Sequence, residues 1–562
     1  MHDQDRDRDN YRWRLLILVL IMFTAVLGLL GRIVYLGIVK HGFLLDQSNI
    51  RSIREVNIPA HRGMITDRNG KPLAISIPVA SVWVNPKLFN ATTEQMAQLA
   101  LLLNLPSSTL QKKVTEQKQH GFVYLKRSLP QEVVAKILSL HIPGVSKERG
   151  YKRYYPEADA MAQVVGFTNV DDRGQEGLEL AYDSWLRGIP GKMRVVKDCI
   201  GNTIANLGVT VEPQQGKDLV LSVDRRVQYL AYQELKKTVE QYQAEYGSVV
   251  VLKVKTGEVL AMANFPSYNP NNRLGVFPGR FRNKAVTDVF EPGSTIKALT
   301  IVNALNSGKY KPNSLVDTNP GSLVIDGHLI QDSDHVNNGL LTVTGVLQKS
   351  SDIGVAKMTL SLPSNSLLSL LSSIGFGQST QSGFPGEGIG VLPNHLKWRP
   401  FVLATLSFGY SISVSLLQLA QAYAVIASYG LLRPITFVKS DESVLGKQAL
   451  SQKVCRQMLT MLETVLDIGG TGKQAQIPGY RVAGKTGTAH IAKTGGYYTD
   501  RYFATFVGIA PVTDPQLVIA VVVKNPRGSH YHGGSVAAPV FANIMNGTLR
   551  VLGVPPDDKE SI

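Results

Sequence analysis

The hydrophobic pattern changes period along the chain, and its first element differs from all the others. Leu15 to Gly31 run without a charged residue, and Ile33 to Val39 extend the run past a single Arg32. A stretch of that length, apolar on every face, predicts a membrane-spanning helix over 15–39 with Arg32 reaching the headgroups. No convincing small-x-small cleavage site follows, so the helix reads as an uncleaved signal anchor. Arg6, Arg8, Arg12 and Arg14 precede the span and Arg32, Lys40, Arg51 and Arg54 follow it. The nearer arginines favour an inside N-terminus, which makes 1–14 a short cytoplasmic tail and places the rest on the extracytoplasmic side.

From 40 to 215, short alternating runs mix with turns, and Asn69-Gly70 after an alternating stretch predicts a hairpin. No nucleophile, base and orienter converge there by spacing, so the region reads as a scaffold or interaction module. A break falls at Glu212 to Gly216. Beyond it, Leu219 to Val223 predicts a strand and Arg226 to Tyr242 an amphipathic helix. Ser248 to Val254 and Glu258 to Asn264 are β-rich runs about a Lys-Thr-Gly turn, a second hairpin. Ser294 to about Gly430 reads as mostly helical with long loops. Strand patterns return at Arg481 to His490, Tyr502 to Ala510 and Leu517 to Lys524. Early and late strands with helices between them predict one α/β domain over 216–550, its sheet completed by the C-terminal strands. The Pro-rich, acidic end predicts a flexible tail over 551–562.

Composition narrows the function classes. At 562 residues the chain exceeds one ordinary core, so two or more folded units are expected. The formal charge of +16 is scattered and no Lys/Arg block stands out, which argues against nucleic acid and suits anionic phospholipid or an anionic glycopolymer. Cys199 and Cys455 lie far apart, with neither metal spacing nor a disulfide pattern.

The chemistry begins at Ser294-Thr295-Ile296-Lys297, the one place where a lysine follows a serine by three. On a helix those positions share a face, which brings an amine to a hydroxyl it can deprotonate. Taken alone, the tetrad is weaker than its bland alternative, an N-cap serine after a Glu291-Pro292-Gly293 turn beside a solvated lysine. Two further elements follow in order: Ser350-Ser351-Asp352 and Lys485-Thr486-Gly487-Thr488. Other Lys-Thr-Gly triplets, at Lys255 and Lys493, fall in turns, and Ser267-Tyr268-Asn269 precedes Ser294 in a Pro/Asn-rich loop. Gly479 to Thr486 fits the nucleotide-binding pattern G-x-x-x-x-G-K-T, but its surroundings lack the preceding strand and following helix that a P-loop needs.

The ordered set resembles the S-x-x-K, S-x-N and K-T-G motifs of the penicilloyl serine transferases. Arg62-Gly63, Asp67 to Gly70, Glu176-Gly177, Gly383 to Gly386, Leu416 to Ala420 and Tyr531 to Gly534 extend the resemblance over nearly the whole chain. They are similar to the class B penicillin-binding proteins, in particular division-specific peptidoglycan D,D-transpeptidases of the FtsI type. That resemblance implies an antiparallel sheet sandwiched by helices, preceded by a single anchor and an elongated α+β pedestal. It implies a serine acyltransferase that cross-links peptidoglycan stem peptides, is acylated by β-lactams and needs no cofactor or metal. Ser294 would be the nucleophile, Lys297 its base, Ser350 a proton relay and Lys485 the carboxylate anchor, with Thr486, Gly487 and Thr488 binding substrate along the strand.

The implied setting is the inner membrane at the division septum, beside a polytopic glycosyltransferase of the FtsW type and other division proteins. An elongation-type enzyme and a non-catalytic, β-lactam-binding scaffold remain as alternatives. One position departs from the pattern, since Asp352 stands where these proteins usually carry Asn. An ionised carboxylate accepts hydrogen bonds but donates none, and beside Lys297 it would favour the ammonium form. The expectation is that Asp352 pairs with a lysine or stays protonated.

Overall fold

A computed structural model describes residues 3–198, 203–393, 398–440 and 444–558. Cys199 and the last four residues of the expected tail lie outside the described residues. Contacts group the chain into two compact units, one of residues 1–60, 79–150 and 189–214, the other of 61–78, 151–188 and 215–562. The chain thus crosses between units several times before residue 215.

In the first unit, the N-terminal helix Asp3–Val34 passes into a π-helical turn at Tyr35–Val39. Tyr11–Val39 is long and apolar enough to cross a membrane, as a single-pass anchor requires. Three antiparallel strands, Ile53–Ile58, Gly191–Lys197 and Thr203–Val211, form a separate sheet. A second cluster packs Val82, Val84, Leu99, Leu103 and Ile137, all buried.

The second unit is built on a five-stranded sheet. Its strands are β1 (Tyr246–Lys253), β2 (Val259–Phe265), β3 (Ala483–Lys493), β4 (Gly496–Ala510) and β5 (Leu517–Lys524). Their order is β2-β1-β5-β4-β3, antiparallel throughout, so the late strands complete a sheet begun by the early hairpin. Val249 to Leu252 and Val518 to Val523 are buried on both faces, which requires a layer on each side. Helices α1 (Arg225–Gln241) and α6 (Gly533–Val551) pack together on one face, and α5 (Leu416–Ala427) lies against the other. Between β2 and β3 the chain supplies α2 (Lys297–Asn306), α3 (Val343–Lys349) and α4 (Asp352–Leu360).

Three features depart from the sequence reading. Helix α6 has no counterpart in it, because Pro539 interrupts the helical pattern within the first turns. The helical stretch after Ser294 also carries small hairpins, such as Ser322–Ile325 with His328–Gln331. The tail is tied as far as it is described: the Asp557 carboxylate accepts from Arg481 N and Thr513 Oγ1, and Asp558 N donates to the Gly479 carbonyl. The Asn69-Gly70 turn does join an antiparallel pair, with Asp67 Oδ1 accepting from Asn69 N and Lys71 N.

Candidate active site

Ser294 and Lys297 occupy a 3-10 turn (Gly293–Ile296) and the first residue of α2. Ser294 caps neither element, which removes the N-cap reading, and among the described residues its half-buried hydroxyl has no hydrogen-bond partner. The turn is over-determined. Gly293 has φ +54°, Thr295 Oγ1 donates to the Pro292 carbonyl, and Tyr423 Oη donates to the Thr295 carbonyl at 2.7 Å. A Cβ on Gly487 would stand 2.9 Å from Thr295 Cγ2 and 3.0 Å from the Pro292 carbonyl oxygen. Glycine in the Lys-Thr-Gly motif therefore lets the turn that carries Ser294 lie against β3.

The second motif joins two helices. Ser350 ends α3 in the left-handed region (φ 57°, ψ 43°), and Ser351 caps α4, its hydroxyl accepting from Gly354 N. The left-handed residue projects Ser350 Oγ between two lysines, 3.1 Å from Lys297 Nζ and 2.9 Å from Lys485 Nζ. Both lysines donate, so the Ser350 proton is left free to be given elsewhere. Lys485 sits on β3, the open edge of the sheet.

Charge is crowded here. Lys297 and Lys485 are 1 % and 0 % exposed, whereas the Asp352 side chain keeps 24 % of its surface. Lys297 Nζ lies 2.5 Å from Asp352 Oδ1 and 2.5 Å from the Ser350 carbonyl, which with Ser350 Oγ makes three acceptors. Three acceptors match the three protons of an ammonium, so the expected pairing of Asp352 with a lysine is present. Burial pushes the Asp352 carboxyl up, against the pull of Lys297. Burial, then the Lys297 charge, hold Lys485 well below the ordinary lysine range, with Asp352 acting the other way.

The hydroxyls of β3 are prepared by residues outside the three motifs. Thr488 Oγ1 accepts from Gly533 N at 3.1 Å, and Thr486 Oγ1 lies 2.7 Å from Thr471 Oγ1. If Thr471 donates, both hydroxyls of the motif keep their protons for an anion on the strand. Thr471 lies in the glycine-dense stretch Gly469 to Gly472, the one signal that could have drawn attention to it. Asp332, equally unforeseen, is buried and accepts from Ser351 Oγ and Ile353 N at 3.0 and 3.1 Å. The site thus brings together all eight residues singled out by motif.

The competing motifs fall elsewhere. Lys255 turns between β1 and β2 and pairs with Asp514, Lys493 ends β3, and Ser267 donates to the Asp159 carbonyl. Gly479 to Thr486 runs into a strand where a P-loop requires a helix. Among the described residues, no group of three His, Cys, Asp or Glu side chains is placed to hold a metal ion. Cys455 is buried, its thiol pushed up to about 12 by burial, away from this chemistry.

Comparison with known proteins agrees with the geometry. Residues 247–546 match the family model of the penicillin binding protein transpeptidase domain, and 57–221 match that of the penicillin-binding protein dimerisation domain. A probable peptidoglycan D,D-transpeptidase, PbpC of Pseudomonas aeruginosa, is 43 % identical over 95 % of this chain and 94 % of its own. The peptidoglycan D,D-transpeptidase FtsI of Escherichia coli K12 is 41 % identical over 95 % of this chain and 91 % of its own. Among solved structures, penicillin binding protein 3 of Mycobacterium tuberculosis, complexed with aztreonam, superposes with a TM-score of 0.70 at 28 % identity, covering 90 % of this chain and 98 % of that one.

Proposed function

The chain belongs to the class B penicillin-binding proteins, and from that membership we infer that it is a peptidoglycan D,D-transpeptidase of septal wall synthesis and a target of β-lactams. The observation that carries the reading is the convergence of Lys297 and Lys485 on one serine hydroxyl, with a Ser294 hydroxyl that has no partner among the described residues.

Ser294 attacks the carbonyl between the two terminal D-alanines of a donor stem peptide. The Oγ–C bond forms, the amide C–N bond breaks, and D-alanine leaves. Lys297 takes the Ser294 proton, and Ser350 gives one to the departing amine. The backbone N–H groups of Ser294 and Thr488 hold the oxyanion, each contributing about 3 kcal/mol. Lys485, with Thr486 and Thr488, holds the donor's terminal carboxylate while Gly487 keeps the strand close to the nucleophile.

The resting ion pair has to be undone first. An arriving carboxylate restores the proton affinity of Lys485, and Ser350, 3.1 Å from one lysine and 2.9 Å from the other, can pass a proton from Lys297 to it. Lys297 is then neutral beside Ser294 at the moment a carboxylate-bearing substrate is present. A second stem's amine next attacks the acyl-enzyme, its C–N bond replacing the Ser294 ester.

Residues 15–39 anchor the enzyme in the inner membrane, 40–215 serve as the pedestal, 216–550 as the transpeptidase domain and 551–562 as the tail. A polytopic glycosyltransferase of the FtsW type and other division proteins are the proposed partners, with the septum as the place of action. The test is release of D-alanine from a pentapeptide stem together with a covalent penicillin adduct. Wild type should give both and Ser294→Ala neither. A non-catalytic scaffold would release no D-alanine.

A further inference from the structure

Asp352 does not stand alone beside the lysines. Asp332 follows the strand His328–Gln331, exposed except at Ile330, yet is itself buried, and it points at the start of α4. Its Oδ1 accepts from Ser351 Oγ at 3.0 Å and from Ile353 N at 3.1 Å, while Oδ2 accepts from Asn338 Nδ2 at 2.9 Å. The residues immediately before and after Asp352 are therefore tied to one carboxylate oxygen.

We propose that Asp332 is a positioning residue for the Ser294–Lys297 pair, anchoring both neighbours of Asp352 and so holding a second carboxylate close to the one that pairs with Lys297. The proposal rests on the transpeptidase reading, since it concerns how Lys297 becomes a base. With Asn at position 352, as is usual in such motifs, Asp332 could only fix the helix start. With Asp there, its negative charge also acts on a group that shares a proton with Lys297.

The groups facing Asp352 are Lys297 and Lys485, which favour its ionised form, and Asp332, which together with burial favours the neutral one. Tyr410 lies within the field of Asp352 and is pushed up to about 12, chiefly by burial, so it stays neutral throughout the working range. A like charge next to Asp352 makes it a better proton acceptor from Lys297, which raises the share of Lys297 that is neutral while the total proton count is unchanged. Loss of the Asp332 charge should tighten the ammonium–carboxylate pair and slow acylation. It should also move the acid limb to lower pH, because the Lys297–Asp352 pair would then take up its second proton only in more acidic solution.

The test is the second-order rate of acylation by a fluorescent penicillin, followed from pH 4 to 9 with the full chain in detergent. Asp332→Asn keeps an acceptor for Ser351 and Ile353 and removes the charge. The expected result is a rate about 3- to 10-fold lower on the plateau and an acid limb moved down by about one pH unit. In an Asp352→Asn background, the same substitution should leave the limb where it is. An unmoved limb in Asp332→Asn, or an equal shift in both backgrounds, would overturn the proposal and leave Asp332 a helix anchor alone. Should Asp332→Asn not fold, Asp352→Asn decides: the proposal requires this single change to move the acid limb, and an unmoved limb would overturn it. Failure of the underlying transpeptidase reading looks different, because wild type would then release no D-alanine from a pentapeptide stem, wherever the acid limb of penicillin acylation lies.

Discussion

Two clusters of buried charge lie in the larger unit, and they are built on opposite plans. Around Glu179, Arg62 donates from Nε to Oε2, from Nη2 to the Glu179 carbonyl, and from Nη1 to Asp183 Oδ1 and the Asp172 carbonyl. Arg153 takes the other carboxylate oxygen, Nε to Oε1 at 2.7 Å, and Arg62 and Glu179 are both fully buried. Charges there meet opposite charges in fixed forks, which ties 61–78 to 151–188. Around Ser350, two lysines donate to one hydroxyl, one of them also pairs with a carboxylate, and among the described residues the Ser294 hydroxyl has no partner. A cluster whose charges are matched holds the chain in place. A cluster short of acceptors keeps its protons movable, and a substrate carboxylate can complete it.

The contrast makes graded predictions. Glu179→Gln should be the most damaging to stability, about 3–5 kcal/mol, because it leaves two buried guanidinium groups without their shared anion. Denaturant unfolding reads this, and the rate of penicillin acylation per folded molecule should change little. Lys485→Met should do the reverse, lowering acylation about 10²- to 10³-fold through loss of the carboxylate anchor. Its unfolding midpoint should hold or rise, since an over-subscribed buried cation is removed.

Asp172 offers a pH test at the edge of the matched cluster. Burial raises its carboxyl to about 6, against the pull of Arg62 and Arg153, and its buried Oδ1 has no partner among the described residues. A carboxyl raised in the folded state carries an ionisation cost that is absent below the unfolded value and complete above the folded one. Asp172→Asn should therefore stabilise by about 1–2 kcal/mol at pH 8 and by little at pH 4, as thermal melts would show. The φ of +59° at this residue is one that Asn adopts readily. The smallest effect belongs to Thr471→Val, which should cost about 3- to 10-fold in acylation by leaving the Thr486 hydroxyl without its partner. The folding midpoint should not move.

Much of this was readable along the chain. The anchor, both ends of the sheet and the three motifs are local patterns, and local patterns survive in a single sequence. Helix α6 was hidden by Pro539, and the small hairpins near Ile325 by their shortness. Thr471 and Asp332 reach the site only through tertiary contact, with no spacing to announce them, and Gly533 stood out only within Tyr531 to Gly534, without a role. That Gly487 also makes room for the Pro292 to Thr295 turn has no sign in the spacing of the motifs. The aspartate at 352 was visible from the start, whereas its pairing with Lys297 at 2.5 Å depended on where α2 and α4 meet.

The most direct measurement is mass spectrometry of the full chain after reaction with penicillin, with the adduct mapped by peptide digestion. A single penicilloyl group on the peptide carrying Ser294, absent from Ser294→Ala, is the expected result. An adduct on another residue, or one that persists in Ser294→Ala, would contradict the assignment of Ser294 as the nucleophile.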